Sequence, residues 1–168
     1  MLTKDVEAMA NAAVNKAELC NSQLGKFFIR AIMAGFYIVV ATILSNVSAA
    51  VLYPTYPQFG KLLGALLFSI AIILIVFIGG ELFTGNNMTM AMGAYNGSCS
   101  WKDVLKVWLI SYIGNFVGAF FFSAIFVGSG ASRQIFTGFG GIKRHNFSLF
   151  CFFKIYTLFI LFSLLKYS

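Results

Sequence analysis

The chain has 168 residues, of which 60% are hydrophobic and only 10% are charged, with a net charge of +7, whereas about 25% of the residues in a typical soluble domain are charged. A soluble fold of this length cannot bury so much apolar surface, so the composition indicates an integral membrane protein. The basic residues flank apolar spans instead of forming a cluster, which argues against nucleic-acid binding and favours a role in membrane orientation.

Residues suited to catalysis or metal binding are few. Cys20, Cys99 and Cys151 are far apart and form no C-x-x-C pair, so they predict neither a disulfide framework nor a metal cluster. The single histidine, His145, is interpreted as a loop or interface residue, because one histidine cannot form a metal site alone. Without a nucleophile–base pair or a nucleotide motif, we expect no enzymatic activity and no cofactor.

The chain begins with a predicted amphipathic helix, which occupies most of residues 1–26. In residues 3–24, apolar side chains recur on one helical face, at positions Val6, Met9, Ala13 and Ala17. We expect such a helix to lie along the membrane surface or against a partner subunit. The first membrane span follows at residues 27–52. No charge occurs between residues 31 and 60, which is long enough to cross ~30 Å of hydrocarbon.

The second membrane span contains a polar interruption, "GGELFTGNN", at residues 79–87. Residues 62–78 before it carry no charge, and residues 88–94 after it are mostly apolar. Because residues 88–95 would extend only ~12 Å as a helix, they are too short to cross a membrane. The pattern therefore predicts one interrupted helix, with a non-helical loop at 79–87 inside the membrane between two coaxial half-helices.

This predicted loop has two alternative explanations. Unpaired backbone groups are costly in hydrocarbon, so a break inside the membrane must face protein or a water-filled path. In a pore, the amides that begin the second half-helix, near Asn87, would attract an anion. In a kinked helix, the polar residues would bond to neighbouring helices. The combination of Gly-Gly, Thr-Gly and Asn-Asn exceeds what a kink needs and favours the pore.

A third span is predicted at residues 104–128, so that transmembrane helices 1–3 occupy residues 27–128. Gly114 and Gly118 form a G-x-x-x-G pair, which permits close contact between helices in lipid. Basic residues precede the first and third spans, whereas the loop before Leu62 has a single lysine. The positive-inside rule therefore places the N-terminus in the cytoplasm.

The tail, residues 129–168, differs in composition from the rest of the chain. Phenylalanine becomes frequent and Ala131 is the last alanine. Two interpretations remain open: a native, Phe-rich fourth helix at residues 147–165, or a segment altered by a frameshift or truncation near residues 130–145. We expect that this tail does not complete a pore.

Three segments resemble the formate/nitrite transporter family. "GGELFTGNNM" at residues 79–88 is similar to the interrupted second helix of that family, in which an acidic residue and Leu-Phe-Thr precede small and polar residues. "RAIMAGFYI" at residues 30–38 resembles its first helix, and "YIGNFVGAFFF" at residues 112–122 resembles its third. The resemblance covers roughly residues 3–128 and is expected to fail beyond them.

The resemblance implies an all-α, aquaporin-like bundle of six transmembrane helices, of which this chain carries the first half, truncated after the third helix, plus the anomalous tail. It also implies a homopentamer in the inner (plasma) membrane of a prokaryote, with a pore in each subunit for small monovalent anions such as formate, nitrite or hydrosulfide. Leu-Phe-Thr-Gly-Asn-Asn is most similar to the hydrosulfide-channel branch. The alternative is a truncated, non-conducting fragment that only packs with full-length subunits.

The resemblance further implies roles for four residues in the path of the anion. Leu82 would form the inner hydrophobic constriction, and Phe83 would share the packing of the loop that holds it. Thr84 would offer its hydroxyl to the anion, and Phe68 would belong to the outer constriction. The family also places a lysine before its fourth helix and a histidine on its fifth. Lys143 and His145 of the tail lie outside the family's motifs, so these two roles are not assigned to them.

Overall fold

The computed structural model describes residues 2–52 and 55–130, and this part of the chain is helical apart from short connections. Its elements in chain order are α1 (Leu2–Ser22), α2 (Leu24–Leu52), α3 (Pro57–Ile78), α4 (Phe83–Tyr95) and α5 (Trp101–Gly128). The predictions for the tail, among them a fourth helix at residues 147–165, lie outside the described residues.

Three of these helices are long and apolar enough to cross a membrane, as predicted. They are α2, α3 and α5, with mean hydropathies of 2.2, 2.8 and 1.8. α3 and α5 begin a few residues before their predicted starts. Pro57 opens α3, because the first residue of a helix needs no N–H donor. The Ser100 hydroxyl caps α5, since it accepts a hydrogen bond from the Lys102 N–H at 3.3 Å.

The predicted interruption of the second span is confirmed, but it is shorter than expected. Between α3 and α4, only residues 79–82 lie outside a helix, because α4 begins at Phe83 and not near Asn87. The Asn86 N–H already bonds the Leu82 carbonyl at 2.9 Å, so the polar residues after the break form the first turn of a helix. α4 has 13 residues and a length of ~20 Å, too short to cross a membrane. The coaxial arrangement within the membrane stays a prediction.

Glycine determines where α3 ends. Gly79 has a φ of +72°, a conformation that glycine adopts at little cost. Its N–H bonds the Val76 carbonyl at 3.3 Å, and the Gly80 N–H bonds the Ile75 carbonyl at 2.8 Å. These two bonds form a Schellman motif, which satisfies the last carbonyls of a helix. Two of the last four carbonyls of α3 are therefore paired where the chain leaves the helix.

The chain divides into two compact units. The first comprises residues 1–37 and 73–118 and contains α1, the break and α4. The second comprises residues 38–72 and, among the described residues, 119–130. Within the second unit, the Ser45 hydroxyl of α2 donates a hydrogen bond to a carbonyl of α3 at 2.6 Å. The features that bear on function lie mainly in the first unit.

α1 packs on α4 of its own chain, and its position along the membrane surface or against a partner subunit stays a prediction. Its apolar face is buried, as the periodicity predicts, at Ala10, Ala13, Ala17 and Cys20. Gly93 of α4 lies against Ala13 and leaves no room for a Cβ. Val104 and Val107 of α5 complete the same apolar core. Small residues on both helices permit this approach and let α1 bury its face within the chain.

The G-x-x-x-G pair is confirmed as a close contact between α2 and α5. Gly114 lies against Ala31, Gly118 lies against the backbone of Ile32, and Gly35 lies against the backbone of α5. A Cβ at any of the three glycines would overlap these atoms. We call Gly35, Gly114 and Gly118 the glycine seam. Lys106 bonds Asn21, just before α2, whereas Gly114 contacts Ala31 further along α2, so α2 and α5 are parallel within the first unit.

Candidate functional site at the helix break

One buried side chain, Asn115 of α5, supports the break between α3 and α4. Its Nδ2 donates hydrogen bonds to the carbonyl of Ala31 at 2.8 Å and to the carbonyl of Glu81 at 2.9 Å. Its Oδ1 accepts a hydrogen bond from the N–H of Phe83 at 2.9 Å. Asn115 is 0% exposed. It therefore supplies hydrogen bonds to backbone groups that lipid cannot satisfy.

The carboxylate of Glu81 is buried at the break and is paired with a lysine of α1. It forms an ion pair with Lys16, with side-chain exposures of 7% for Glu81 and 25% for Lys16. The Glu81 N–H also donates to the carbonyl of Arg30 at 3.2 Å. An unpaired buried carboxylate is costly, so Lys16 compensates for its burial. Through this pair α1 is attached to the break.

Leu82 and Phe83, two of the predicted site residues, lie where the break passes into α4. Leu82 is the N-cap of α4, with an extended backbone (φ −83°, ψ 127°) and no side-chain cap bond. The ring of Phe83 packs edge-to-face on Tyr112, with 5.4 Å between ring centroids. Both side chains are half-buried. The backbone at Leu82 is thus fixed on one side by the contacts of Glu81 with Lys16 and Asn115, and on the other by the packing of Phe83 on Tyr112.

The hydroxyl of Thr84 forms no hydrogen bond with any described residue, and the side chain is half-buried. Thr89, one turn and a half further along α4, donates to the Gly85 carbonyl at 3.0 Å, the usual local bond of a helical threonine. Thr84 has no equivalent, because the residue four positions earlier, Gly80, lies outside the helix. The N–H groups of Thr84 and Gly85 also lack acceptors in the described chain, as expected for the first turn of a helix.

Asn86 does not share a surface with Thr84, although the two residues are close in sequence. Two residues along a helix correspond to about 200° of rotation, and Asn86 lies on the buried face of α4 with Met90 and Gly93. It is 1% exposed, and its Nδ2 has no hydrogen-bond acceptor in the described part of the chain. The backbone carbonyl of Asn86 accepts a hydrogen bond from the indole N–H of Trp108 at 3.4 Å. The polar residues after the break therefore face two directions.

The predicted site residues fall in both compact units. Leu82, Phe83 and Thr84 are consecutive in the first unit, whereas Phe68 belongs to the second unit, on α3, where its side chain is half-buried. The structure brings the first three together at the break. The role of each in the path of an anion stays a prediction.

Two residues that position the site were missed in the sequence. Asn115 lies inside the segment whose glycine spacing predicted a helix contact, and an amide in the middle of an apolar span is itself a signal of function or support. Lys16 carries no such signal, because its partner is 65 residues away and α1 also holds a second lysine, Lys4, of similar character.

The chain resembles known proteins of one family. A family model described as "Formate/nitrite transporter" matches residues 3–159. The match continues past residue 128, so the prediction that the resemblance fails there is wrong. Phenylalanine and leucine keep the composition of the tail apolar, although Ala131 is its single alanine.

Several relatives are proteins of membrane transport. The chain is 28% identical over 134 residues to an uncharacterized transporter of Bacillus subtilis, covering 80% of this chain and 52% of the relative. It is 32% identical over 133 residues to a nitrite transporter of Escherichia coli, covering 79% and 48%. It is 37% identical over 70 residues to a formate channel of Haemophilus influenzae, covering 42% and 24%.

A solved structure has a similar fold. The structure, of an FNT family ion channel, matches with a TM-score of 0.71 and 27% identity, over 77% of this chain and 51% of that one. The chain therefore spans about half the length of the first of these relatives. The match supports the helical fold described above.

Proposed function

This chain belongs to the formate/nitrite transporter family, and from this premise we propose that it passes small monovalent anions across a membrane through a pore in each subunit. The observation that carries the proposal is the first turn of α4. There the Thr84 hydroxyl and the amides of Thr84 and Gly85 lack partners among the described residues and follow directly on the apolar Leu82. Free donors at a helix N-terminus are suited to an anion.

The proposed mechanism combines an apolar barrier with a short polar stretch. Leu82 narrows the path and excludes water. A bare anion is costly at such a point, so the Thr84 hydroxyl and the free amides replace part of its hydration before or after the barrier. Formate or hydrosulfide crosses the apolar ring more easily as the neutral acid, because the charge that must be desolvated is then removed.

The remaining parts of the pathway follow the family resemblance. Phe83 holds the position of Leu82, since its ring packs on Tyr112 and its N–H bonds Asn115. Phe68 forms the outer constriction. The subunits assemble as a homopentamer in the inner membrane of a prokaryote, with the N-terminus in the cytoplasm, as the distribution of lysine and arginine predicts.

The choice of anion rests on the relatives and on one motif. The relatives include proteins named as a nitrite transporter and as a formate channel. Leu-Phe-Thr-Gly-Asn-Asn resembles the hydrosulfide-channel branch. The three anions are therefore compared in one assay.

The experiment is flux into liposomes that contain the purified chain, measured in parallel for formate, nitrite and hydrosulfide. Leu82→Ala should raise flux or relax selectivity, because it widens the apolar ring. Leu109→Ala is the matched control, since Leu109 is 61% exposed on α5. Equal flux through Leu82→Ala and wild type would contradict the role of Leu82.

A folded wild-type chain without flux for any of the three anions would contradict conduction by this chain. It would favour the alternative, a non-conducting fragment that packs with full-length subunits. That alternative predicts co-purification with a tagged, longer member of the family. The chain covers about half the length of its relatives, and this observation supports the non-conducting fragment as the second candidate function.

A further inference from the structure

One arginine of α2 lies beside the break. The backbone carbonyl of Arg30 accepts a hydrogen bond from the Glu81 N–H at 3.2 Å. Ala34, one turn later on the same face of α2, lies against Gly80. The face of α2 that carries Arg30 is therefore turned toward the break, whereas Ile29, on the neighbouring side of the helix, is 62% exposed.

The guanidinium of Arg30 is a cation without a partner in the described chain. The side chain lies within the candidate span Leu24–Ala49 and is half-buried, and it forms no hydrogen bond or ion pair with any described residue. Glu81, whose N–H contacts the Arg30 backbone, has its carboxylate paired with Lys16 instead. Lys26, one turn earlier in α2, is exposed. Charged side chains within membrane spans are costly and often mark the path of an ion.

The Arg30 side chain and α4 extend in the same direction. Asn115 of α5 contacts Phe83 at the start of α4. Trp108, two turns earlier in α5, contacts Asn86 further along α4, so α4 runs antiparallel to α5 and toward the N-terminal ends of α2 and α5. Long side chains of a helix point toward its N-terminus, and the guanidinium is therefore displaced in that direction too. An anion that enters from this end passes the level of the guanidinium before it meets the apolar barrier.

We propose that Arg30 is a specificity-determining residue, which binds the anion before it reaches Leu82 and favours formate and nitrite over hydrosulfide. This inference rests on the proposed function. A guanidinium presents parallel N–H donors whose spacing matches two oxygen atoms of one planar anion. Formate and nitrite each offer two such oxygens, whereas hydrosulfide offers a single sulfur. The anions with two oxygens therefore gain a second hydrogen bond from Arg30.

The first test measures contact between Arg30 and an anion without conduction. Phenylglyoxal modifies arginine side chains, and peptide mapping of the full chain in detergent gives the rate of modification at Arg30. We expect sodium formate to slow this modification several-fold relative to sodium chloride at the same concentration. Equal rates in the two salts would overturn the proposal. Protection by formate in a chain that shows no flux would contradict the proposed function and leave Arg30 as an anion-binding residue.

The second test compares the half-saturation concentrations for anion flux into liposomes. Arg30→Gln should raise them about tenfold for formate and nitrite, the contribution of one hydrogen bond to an ion, and less for hydrosulfide. Arg30→Lys keeps the charge but loses the paired donors, so it should reduce the preference for formate and nitrite with a smaller loss of binding. Lys26→Gln is the control, because it removes one exposed positive charge of the same helix.

The outcomes separate three roles for Arg30. An equal rise for all three anions, or the same rise in Lys26→Gln, would show that Arg30 acts only as a general positive charge, and the proposal would be wrong. Lower melting temperatures of both Arg30 variants with unchanged half-saturation concentrations would assign Arg30 to the fold. Wild-type flux that neither Arg30 variant alters would leave the proposed function intact and overturn the role of Arg30.

Discussion

Residues 79–82 and the first turn of α4 are adjacent in the sequence but differ in the pairing of their polar groups. In the break, the N–H groups of Gly79 and Gly80 bond to α3, and the Glu81 N–H, carbonyl and carboxylate bond to three different partners. In the first turn of α4, the Thr84 hydroxyl, the amides of Thr84 and Gly85, and the Nδ2 of Asn86 have no partner within the described chain.

The paired groups of residues 79–82 support the fold, whereas the unpaired groups of the next turn are the ones to which the proposed function assigns a role. A polar group that is buried without a partner costs about 1–3 kcal/mol, so unpaired groups persist only where water or a solute meets them or where the fold tolerates the cost. The paired groups of the break hold the chain in one position. Under the proposed function, the Thr84 hydroxyl and the amides of Thr84 and Gly85 are thereby held at a fixed place where they are available to an anion, whereas the Asn86 amide lies on the buried face of α4.

The largest effect is expected from Asn115→Leu, which removes the support of the break. The Glu81 carbonyl and the Phe83 N–H then lose their partner, at about 1–3 kcal/mol for each group left unpaired, and the helical Ala31 carbonyl loses its added bond. We expect a large loss of thermal stability in detergent and no measurable anion flux. Asn46→Leu is the matched control, because Asn46 is exposed on α2 and bonds only the Thr42 carbonyl of its own helix. Similar melting temperatures for the two variants would show that Asn115 does not support the break.

The next largest effect is expected from Lys16→Met, which leaves the Glu81 carboxylate without its partner. Breaking a buried ion pair on one side costs about 3–5 kcal/mol, and we expect less here because Lys16 is partly exposed. Adding Glu81→Gln should restore part of the loss, since the buried charge is then removed as well. Lys4→Met, at an exposed position of α1, is the control. A double variant as unstable as the sum of the single variants would show that the pair is not coupled.

Labelling of Cys20 measures whether α1 leaves its position in the Lys16→Met variant. Cys20 is a fully buried free thiol, and burial raises its pKa despite the opposing effect of Lys106. The thiol is therefore protonated at neutral pH and reacts slowly, because the thiolate is the nucleophile. With Cys99 and Cys151 replaced by serine, iodoacetamide should label Cys20 several-fold faster in Lys16→Met than in Lys4→Met. Equal rates would mean that α1 stays docked without the ion pair.

A smaller and more selective effect is expected from Thr84→Val. Valine has nearly the volume of threonine but cannot donate or accept a hydrogen bond, and one hydrogen bond to an ion contributes about 1.5–3 kcal/mol. Flux should fall about tenfold or more while the melting temperature is unchanged. Thr89→Val is the control on the same helix, because its hydroxyl bonds the Gly85 carbonyl. A loss of stability that accompanies the loss of flux in Thr84→Val would assign Thr84 to the fold instead of the pathway.

The smallest effect, with the opposite sign, is expected from Asn86→Leu. The change removes a buried amide whose Nδ2 lacks an acceptor and leaves the carbonyl that Trp108 contacts. Replacing an unsatisfied buried polar group with an apolar one of similar size is often neutral or stabilising. We expect a rise of a few degrees in the melting temperature with unchanged flux. A clear destabilisation would indicate that a bound water or solute satisfies the Asn86 amide.

Local patterns in the sequence predicted the three spans, the interruption and the glycine contact, because length, charge and glycine spacing determine them directly. The start of α4 was placed too late, since Thr84 and Asn87 are polar residues typical of loops and equally of the first turn of a helix. The contacts of Asn115 and Lys16 were not predicted. They join segments that are distant in the sequence, and no local pattern indicates which backbone carbonyl or carboxylate such a side chain will reach.

The glycine seam also determines how accurately the break is positioned. Asn115 directly follows Gly114, and it reaches the Ala31 carbonyl because the two backbones are in contact with no side chain between them. A single methyl group at Gly114 would move α5 away from α2 and lengthen all the hydrogen bonds of Asn115 together. Hydrogen bonds weaken within a few tenths of an ångström of their optimal length. The close contact at the glycine seam therefore determines, through Asn115, the position of Leu82 and Thr84.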